Sequence, residues 1–165
     1  EIRDLVNTDD EGSLTFGYFS VWLQSQLREA ARAGGMEVDL SFDRRLDDSP
    51  LPFGVSAHLK KICREIIQNT LKHAEATVLR ATLSLGPGGF HLQIADNGRG
   101  FRPDNITMGT GLRSLEKRAA ECGLALMRHS APGAGTTYDI KIPQDLVLTD
   151  VNHPNGGLTF FGTHS

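Results

Sequence analysis

Phe90-His91-Leu92-Gln93-Ile94-Ala95-Asp96-Asn97-Gly98-Arg99-Gly100-Phe101 changes character half-way along. Phe90, Leu92 and Ile94 recur every second residue, the period of a half-buried strand. The strand ends in a carboxylate, Asp96, and runs into a turn too rich in glycine to be core. Two other stretches are read as facing this one. Upstream, Arg64-Glu65-Ile66-Ile67-Gln68-Asn69-Thr70-Leu71-Lys72-His73-Ala74 is a helical run. Downstream, Gly109-Thr110-Gly111-Leu112-Arg113-Ser114-Leu115 holds a second glycine pair just before a helix. A polar helix face, a carboxylate at a strand end and two glycine turns together predict a nucleotide pocket.

The flanking chain supplies a scaffold for it. Phe16, Phe19, Leu23, Leu27 and Ala30 recur at helical spacing within Ser13 to Gly34, with Gly34-Gly35 as the stop. Met36 to Phe42 alternates as a strand, and Asp43 to Pro52 reads as a polar loop. A helix is predicted from about Ser56 to His73, with Leu59, Ile62, Cys63, Ile66, Ile67 and Leu71 as its apolar stripe. On it Glu65, Asn69 and His73 stand four apart, predicting one polar row. Strands over Thr77 to Leu85 and Phe90 to Asp96 are joined by Gly86-Pro87-Gly88-Gly89, a hairpin signal. Arg102 to Met108 is a short loop flanked by Gly100 and Gly109 as hinges, expected to be mobile until a nucleotide orders it. A helix over Leu112 to Cys122 and a hairpin, Leu124 to His129 with Thr136 to Ile142, follow. In the tail, Val147 to Val151 and Leu158 to Phe161 are read as able to pair as an extra hairpin. Tight turns between strands require antiparallel pairs, so the expected class is α+β. The expected architecture is a two-layer sandwich, with a mixed, mostly antiparallel sheet and helices on one face.

Bulk properties set limits. The 165 residues, 39% hydrophobic and 22% charged, suffice for one domain with a real core. A net charge of -3 offers no broad basic surface, so no nucleic-acid partner is expected. Cys63 and Cys122 lack metal-ligand spacing and read as reduced packing residues, suited to a cytoplasmic location. No apolar run is long enough to span a bilayer, so no direct membrane contact is expected of this segment. That leaves open whether the parent protein is membrane-anchored. Glu1 in place of Met marks the chain as an expected fragment.

Individual residues suggest roles, each with a plainer alternative. Asp96, acceptor-only when ionised, suits the exocyclic amine of adenine; alternatively it caps a turn. Gly98, Gly100, Gly109 and Gly111 permit close backbone approach to a ligand, and amides at a helix start bind phosphate oxygens; alternatively they are loops. Asn69 offers a hard carbonyl oxygen to magnesium, which keeps phosphates and water as its other ligands. Glu65 could hold a water or act as a base, and Lys72 could reach a phosphate. Glu65, Asn69 and Lys72 could equally be a solvated helix face. His73, near a helix end, reads equally as a cap or packing group.

Taken together these residues resemble the ATP-binding domain shared by gyrase, MutL, the large heat-shock chaperones and histidine kinases. Glu65-x-x-x-Asn69-x-x-Lys72-His73-Ala74 resembles the family's asparagine box, Asp96-x-Gly98-x-Gly100 its first glycine box, and Gly109-x-Gly111-Leu112 its second. Gly135-Thr136-Thr137 resembles the closing motif before the last core strand. Four motifs in order over about residues 36–143 make the resemblance specific. Within the superfamily, Lys72-His73-Ala74 and the run Gly109 to Ala119 are most similar to sensor histidine kinases of the nitrate-sensor type.

The resemblance implies ATP and Mg2+ as cofactors. It implies that Asp96 reads adenine, that Asn69 holds Mg2+ and that Glu65 assists the reaction, making Glu65 and Asn69 the catalytic pair. Lys72, His73, Gly98, Gly100, Gly109, Thr110, Gly111 and Leu112 would complete the ATP site, and Thr137 would support adenine through water. It also implies an acceptor histidine followed by an acidic residue, which none of the six histidines here provides. The expected organisation is therefore 1–12 as the end of a linker or dimerisation helix, 13–143 as the ATP-binding catalytic domain and 144–165 as a tail. The expected partners are a histidine-containing dimerisation domain of the same parent protein and a downstream response regulator. Two rivals stand beside this reading: a stand-alone regulator resembling an anti-sigma-factor serine kinase of the same fold, and a degenerate scaffold that no longer binds ATP.

Overall fold

The computed structural model describes residues 14–100 and 109–151, the side chains of 109–113 and 148–151 excepted. Helix α1 (Phe16–Gly34) starts where Thr15, in an extended conformation, accepts a hydrogen bond from Tyr18 N at 3.4 Å. Such a cap is worth about 1 kcal/mol. The helix ends at Gly35, whose left-handed φ of 68° lets its N–H reach the carbonyls of Ala31 and Arg32. Strand β1 (Glu37–Phe42) follows, and then a single 3-10 turn at Arg44–Leu46. The stretch read as a polar loop is thus anchored, because Leu46 and Leu51 are buried.

Helix α2 (Phe53–Asn69) continues into a π-helical turn, Thr70–Ala74, that ends in Glu75 with φ 54°. It crosses over between β1 and β2 (Val78–Gly86), which pair in parallel and so need such a connection. The hairpin from β2 to β3 (Gly89–Asp96) is antiparallel. Helix α3 (Gly109–Glu121) leads to β4 (Ala125–Ser130), and a second hairpin returns as β5 (Thr136–Pro143). The sheet order is β1-β2-β3-β5-β4, so β5 lies between β3 and β4. The α+β, mostly antiparallel architecture is as expected.

Alternation along the strands sorts the two faces. Leu79, Ala81 and Leu83 of β2, Phe90, Leu92 and Ile94 of β3, and Tyr138, Ile140 and Ile142 of β5 are buried with the helices in one core. Phe16 of α1 stacks on Phe90 with ring centroids 4.2 Å apart. Lys60 and Arg64 of α2 lie over the Trp22 ring at 5.4 and 5.2 Å, cation–π contacts that tie α1 to α2. The opposite face carries polar groups, among them the exposed Arg80–Asp39 pair. Cys63 and Cys122 are free thiols, and full burial pushes Cys63 up to about 12. That fits their reading as packing residues.

The tail departs from the sequence reading. Val147 to Val151, read as a strand, lies in helix α4 (Gln144–Val151). Pro143 stops β5, and Val147 then turns into the core, 2% exposed. A helix lets that one side chain reach inward, whereas a strand at this point would need a partner edge. Leu158 to Phe161, like the loop Arg102 to Met108, lies outside the described residues.

Candidate nucleotide site

Asp96 ends β3 on the inner face and is 8% exposed. Its carboxylate has partners: Gly98 N donates to Oδ1 at 2.8 Å and Thr70 Oγ1 to Oδ2 at 3.4 Å. Burial raises its pKa above the ordinary 3.8, and the hydrogen bonds from Gly98, Thr70 and the Thr136 backbone oppose that shift only in part. Three donors leave one of the carboxylate's roughly four acceptor sites, so the group can still accept from a ligand N–H.

The loop after Asp96 is pinned on three sides. Asn97 Oδ1 accepts from Thr77 N at 2.9 Å and Val78 N at 2.8 Å, which fastens the loop to the start of β2. Arg99 N donates to Ala74 O at 2.7 Å, and Arg99 O accepts from Gly133 N at 2.7 Å. A Cβ on Gly98 would overlap the Ala74 carbonyl, and one on Gly135 (φ 77°) would overlap the carbonyl of Asp96. Gly98 was expected to make room for a ligand; protein backbone takes that room. Gly98→Ala is therefore expected to cost about 1–3 kcal/mol of stability, the scale of overpacking. Urea unfolding would read this as a lower midpoint, and an unchanged midpoint would mean the loop relaxes freely.

The asparagine row is shorter than its spacing suggested. Glu65 and Asn69 are half-buried on α2, whereas Lys72 and His73 are exposed. The π turn begins at Thr70 and takes an extra residue per turn. Thr70, three and four residues after Ile67 and Ile66, keeps to the buried side of the helix at 5% exposure and meets Asp96, while His73 in the π turn is exposed. His73 engages the fold through its backbone, whose carbonyl accepts from Arg99 Nε at 2.8 Å. Asn69 Nδ2 lies 3.5 Å from the Tyr138 hydroxyl of β5.

The closing motif also shifts by one residue. Thr136 pairs with Asp96 in register, while Thr137 pairs with Ala95. Successive side chains of a strand point to opposite faces, so Thr136 shares the Asp96 face and Thr137 does not. Thr136 is 5% exposed and its Oγ1 lies 2.9 Å from Ser130 Oγ. The second glycine pair is not a turn before a helix: Gly109, Thr110, Gly111 and Leu112 form the first turn of α3. The first four amides of a helix lack intrahelical partners, so these four residues supply the free N–H groups themselves.

Thr70, Thr136 and Tyr138 were missed as site residues. Both threonines were readable: Thr136 shares the strand period of Tyr138, Ile140 and Ile142, and Thr70 stands three and four residues after Ile67 and Ile66 of the apolar stripe. Among the described residues no group of three or more His, Cys, Asp or Glu is placed to hold a metal ion. A magnesium site here would depend on the hard oxygens of Asn69 and Glu65 with phosphate and water, a donor set that suits this ion.

Residues 54–146 match the model of the histidine kinase-, DNA gyrase B- and HSP90-like ATPases. The chain belongs to this ATPase family. The sensor histidine kinase LiaS of Bacillus subtilis is 31% identical over 107 residues, 64% of this chain and 29% of LiaS. The sensor protein VraS of Staphylococcus saprophyticus is 34% identical over 108 residues, 65% of this chain and 31% of VraS. This ATPase-family chain thus spans less than a third of the length of either relative. The histidine kinase domain of the Erythrobacter litoralis EL346 blue-light activated kinase shares the fold. Its TM-score is 0.63 at 20% identity, over 79% of this chain and 64% of that one. Asn69, Asp96 and Thr136 of this ATPase domain all fall inside the family match.

Proposed function

We propose that this ATPase-family domain binds Mg2+-ATP and delivers the γ-phosphoryl group to a histidine on a separate domain of the same parent protein. That makes it the catalytic domain of a two-component sensor histidine kinase. The observation that carries the reading is Asp96: a buried carboxylate at a strand end, held by Gly98 and Thr70, on the face it shares with Thr136 and Tyr138. Asp96 would accept from the adenine amine, with Thr136 beside it. Asn69 would present its carbonyl oxygen to Mg2+, and Glu65, one turn earlier, would hold a water or take a proton. The free amides at Gly109 to Leu112 would meet phosphate oxygens, and Lys72 would need to swing in to do so. Bound Mg2+-ATP supplies the transferable phosphoryl group and neutralises its charge; the protein supplies position and field.

The finer assignment is to the nitrate-sensor type, with a response regulator downstream. The relatives' names, sensor histidine kinase and sensor protein, favour a kinase over an anti-sigma-type regulator. No helix among the described residues is long and apolar enough to cross a membrane, and we place this domain in the cytoplasm.

Asn69→Ala tests the magnesium arm. Calorimetric ATP affinity should fall about tenfold with Mg2+ present, equivalent to ~1.4 kcal/mol, and much less in EDTA. An equal loss in both would make Asn69 structural.

A further inference from the structure

Asn69 can serve magnesium only if its side chain points the right way. A carboxamide has one end that accepts and one that donates, and a cation is served by the oxygen alone. Rotation by half a turn would present the NH2 group instead. The partner that the fold gives Asn69 is Tyr138, 69 residues away, whose Oη lies 3.5 Å from Nδ2.

Tyr138 is an unusual member of its row. The next inner positions on β5 are Ile140 and Ile142, whereas Tyr138 brings a hydroxyl into the core at 4% exposure. A buried phenol needs a hydrogen-bond partner. In register Tyr138 pairs with Ile94 on one side and Arg128 on the other, two register positions from the Asp96–Thr136 pair and on the same face. The Arg128 side chain also bonds the Tyr138 hydroxyl. A guanidinium is donor-only, so Oη acts as an acceptor there, as it does toward Asn69. Burial raises the Tyr138 pKa above its ordinary 10, so it remains a neutral phenol. A separation of 3.5 Å is at the long end for a hydrogen bond, and such bonds in ligand-free sites commonly tighten when the ligand arrives.

We infer that Tyr138 is a positioning residue that holds the amide nitrogen of Asn69 and thereby leaves its carbonyl oxygen for the magnesium of a bound nucleotide. This rests on the Mg2+-ATP reading above and adds a residue to it. The hydroxyl does the orienting, and the ring does the packing.

Tyr138→Phe separates the two, since it keeps the ring. The measurement is ATP affinity of the whole chain by calorimetry, once with Mg2+ and once with EDTA. The ratio of the two is the magnesium gain. In Tyr138→Phe this gain should fall about fivefold, the scale of one lost hydrogen bond, while affinity in EDTA holds. A purely structural role would lower both affinities together, and that result overturns the inference. So does a larger magnesium gain, which would mean that Tyr138 occupies the carbonyl. Asn69→Asp gives a second readout, because a carboxylate has an oxygen at both ends and needs no orienting. Adding Tyr138→Phe to Asn69→Asp should leave the magnesium gain unchanged; a further fivefold loss there overturns the proposal even if the single variant behaves as expected. If the unmodified chain shows no magnesium gain at all, the Mg2+-ATP reading itself fails and takes this inference with it. That result is distinct from a normal gain that Tyr138→Phe leaves intact.

Discussion

Asp96→Ala should weaken ATP binding by about one to two orders of magnitude. A hydrogen bond to a charged group in a buried setting contributes roughly 1.5–3 kcal/mol, which converts to that range of affinity. The substitution also leaves Thr70 Oγ1 and Gly98 N without their acceptor, so the pocket would loosen as well as lose its adenine contact. Acidification gives the same group a second signature. Its folded pKa is raised, chiefly by burial, so the carboxylate loses its charge at a higher pH than an ordinary one. ATP affinity should therefore fall as pH drops through the raised value. Stability should move the other way. Burying the ionised form costs stability above the folded pKa, and that cost disappears as pH falls toward the ordinary 3.8. Asp96→Ala should abolish both trends. Unchanged ATP affinity in the variant, measured by calorimetry, would remove Asp96 from the adenine site.

With radiolabelled ATP the chain alone is expected to stay unlabelled, while an acceptor domain from the same parent protein becomes labelled when added. Phosphoryl transfer needs a nucleophile in line with the γ-phosphorus. The sequence shows no histidine followed by an acidic residue, but the fold supplies a carboxylate to two of them. Asp139 lies 2.9 Å from His91 Nε2 and 3.5 Å from His129 Nε2. Both pairs sit on the sheet face opposite Asp96, because His91 and His129 alternate with the inward residues of β3 and β4. A five-stranded sheet therefore separates them from the proposed nucleotide. His58 is half-buried early on α2, and His73 sits on the exposed side of the π turn. His153 and His164 lie outside the described residues. Acid-labile label on the isolated chain would contradict this, and label on a serine of a small partner protein would favour the regulator.

Most elements were legible because they are local. A period of two over Phe90 to Ile94 and glycines at Gly86 to Gly89 suffice to define a hairpin, and a helical stripe with Gly34-Gly35 after it suffices to define α1. The motif residues were legible for the same reason: Asp96 at a strand end and Asn69 on a helix stripe are positions within single elements. The tail failed because the five residues Val147 to Val151 are too short a run for periodicity to distinguish a strand from a short helix. What decided it was Val147 finding the core.

The sequence by itself determined the fold class, the family motifs and the pair Asp96 and Asn69, since period, turn chemistry and spacing act within a few residues. Only the tertiary structure decided which side chains stand around that pair. Register between β3 and β5 selects Thr136 over Thr137, and a slip of one residue would reverse the choice. Packing of the helix end against the sheet brings Thr70 to Asp96, across 26 residues of chain. Asn69 meets Tyr138 across 69 residues of chain. Period shows that Thr70, Thr136 and Tyr138 face inward, but which groups they meet depends on how separate elements pack, a long-range outcome.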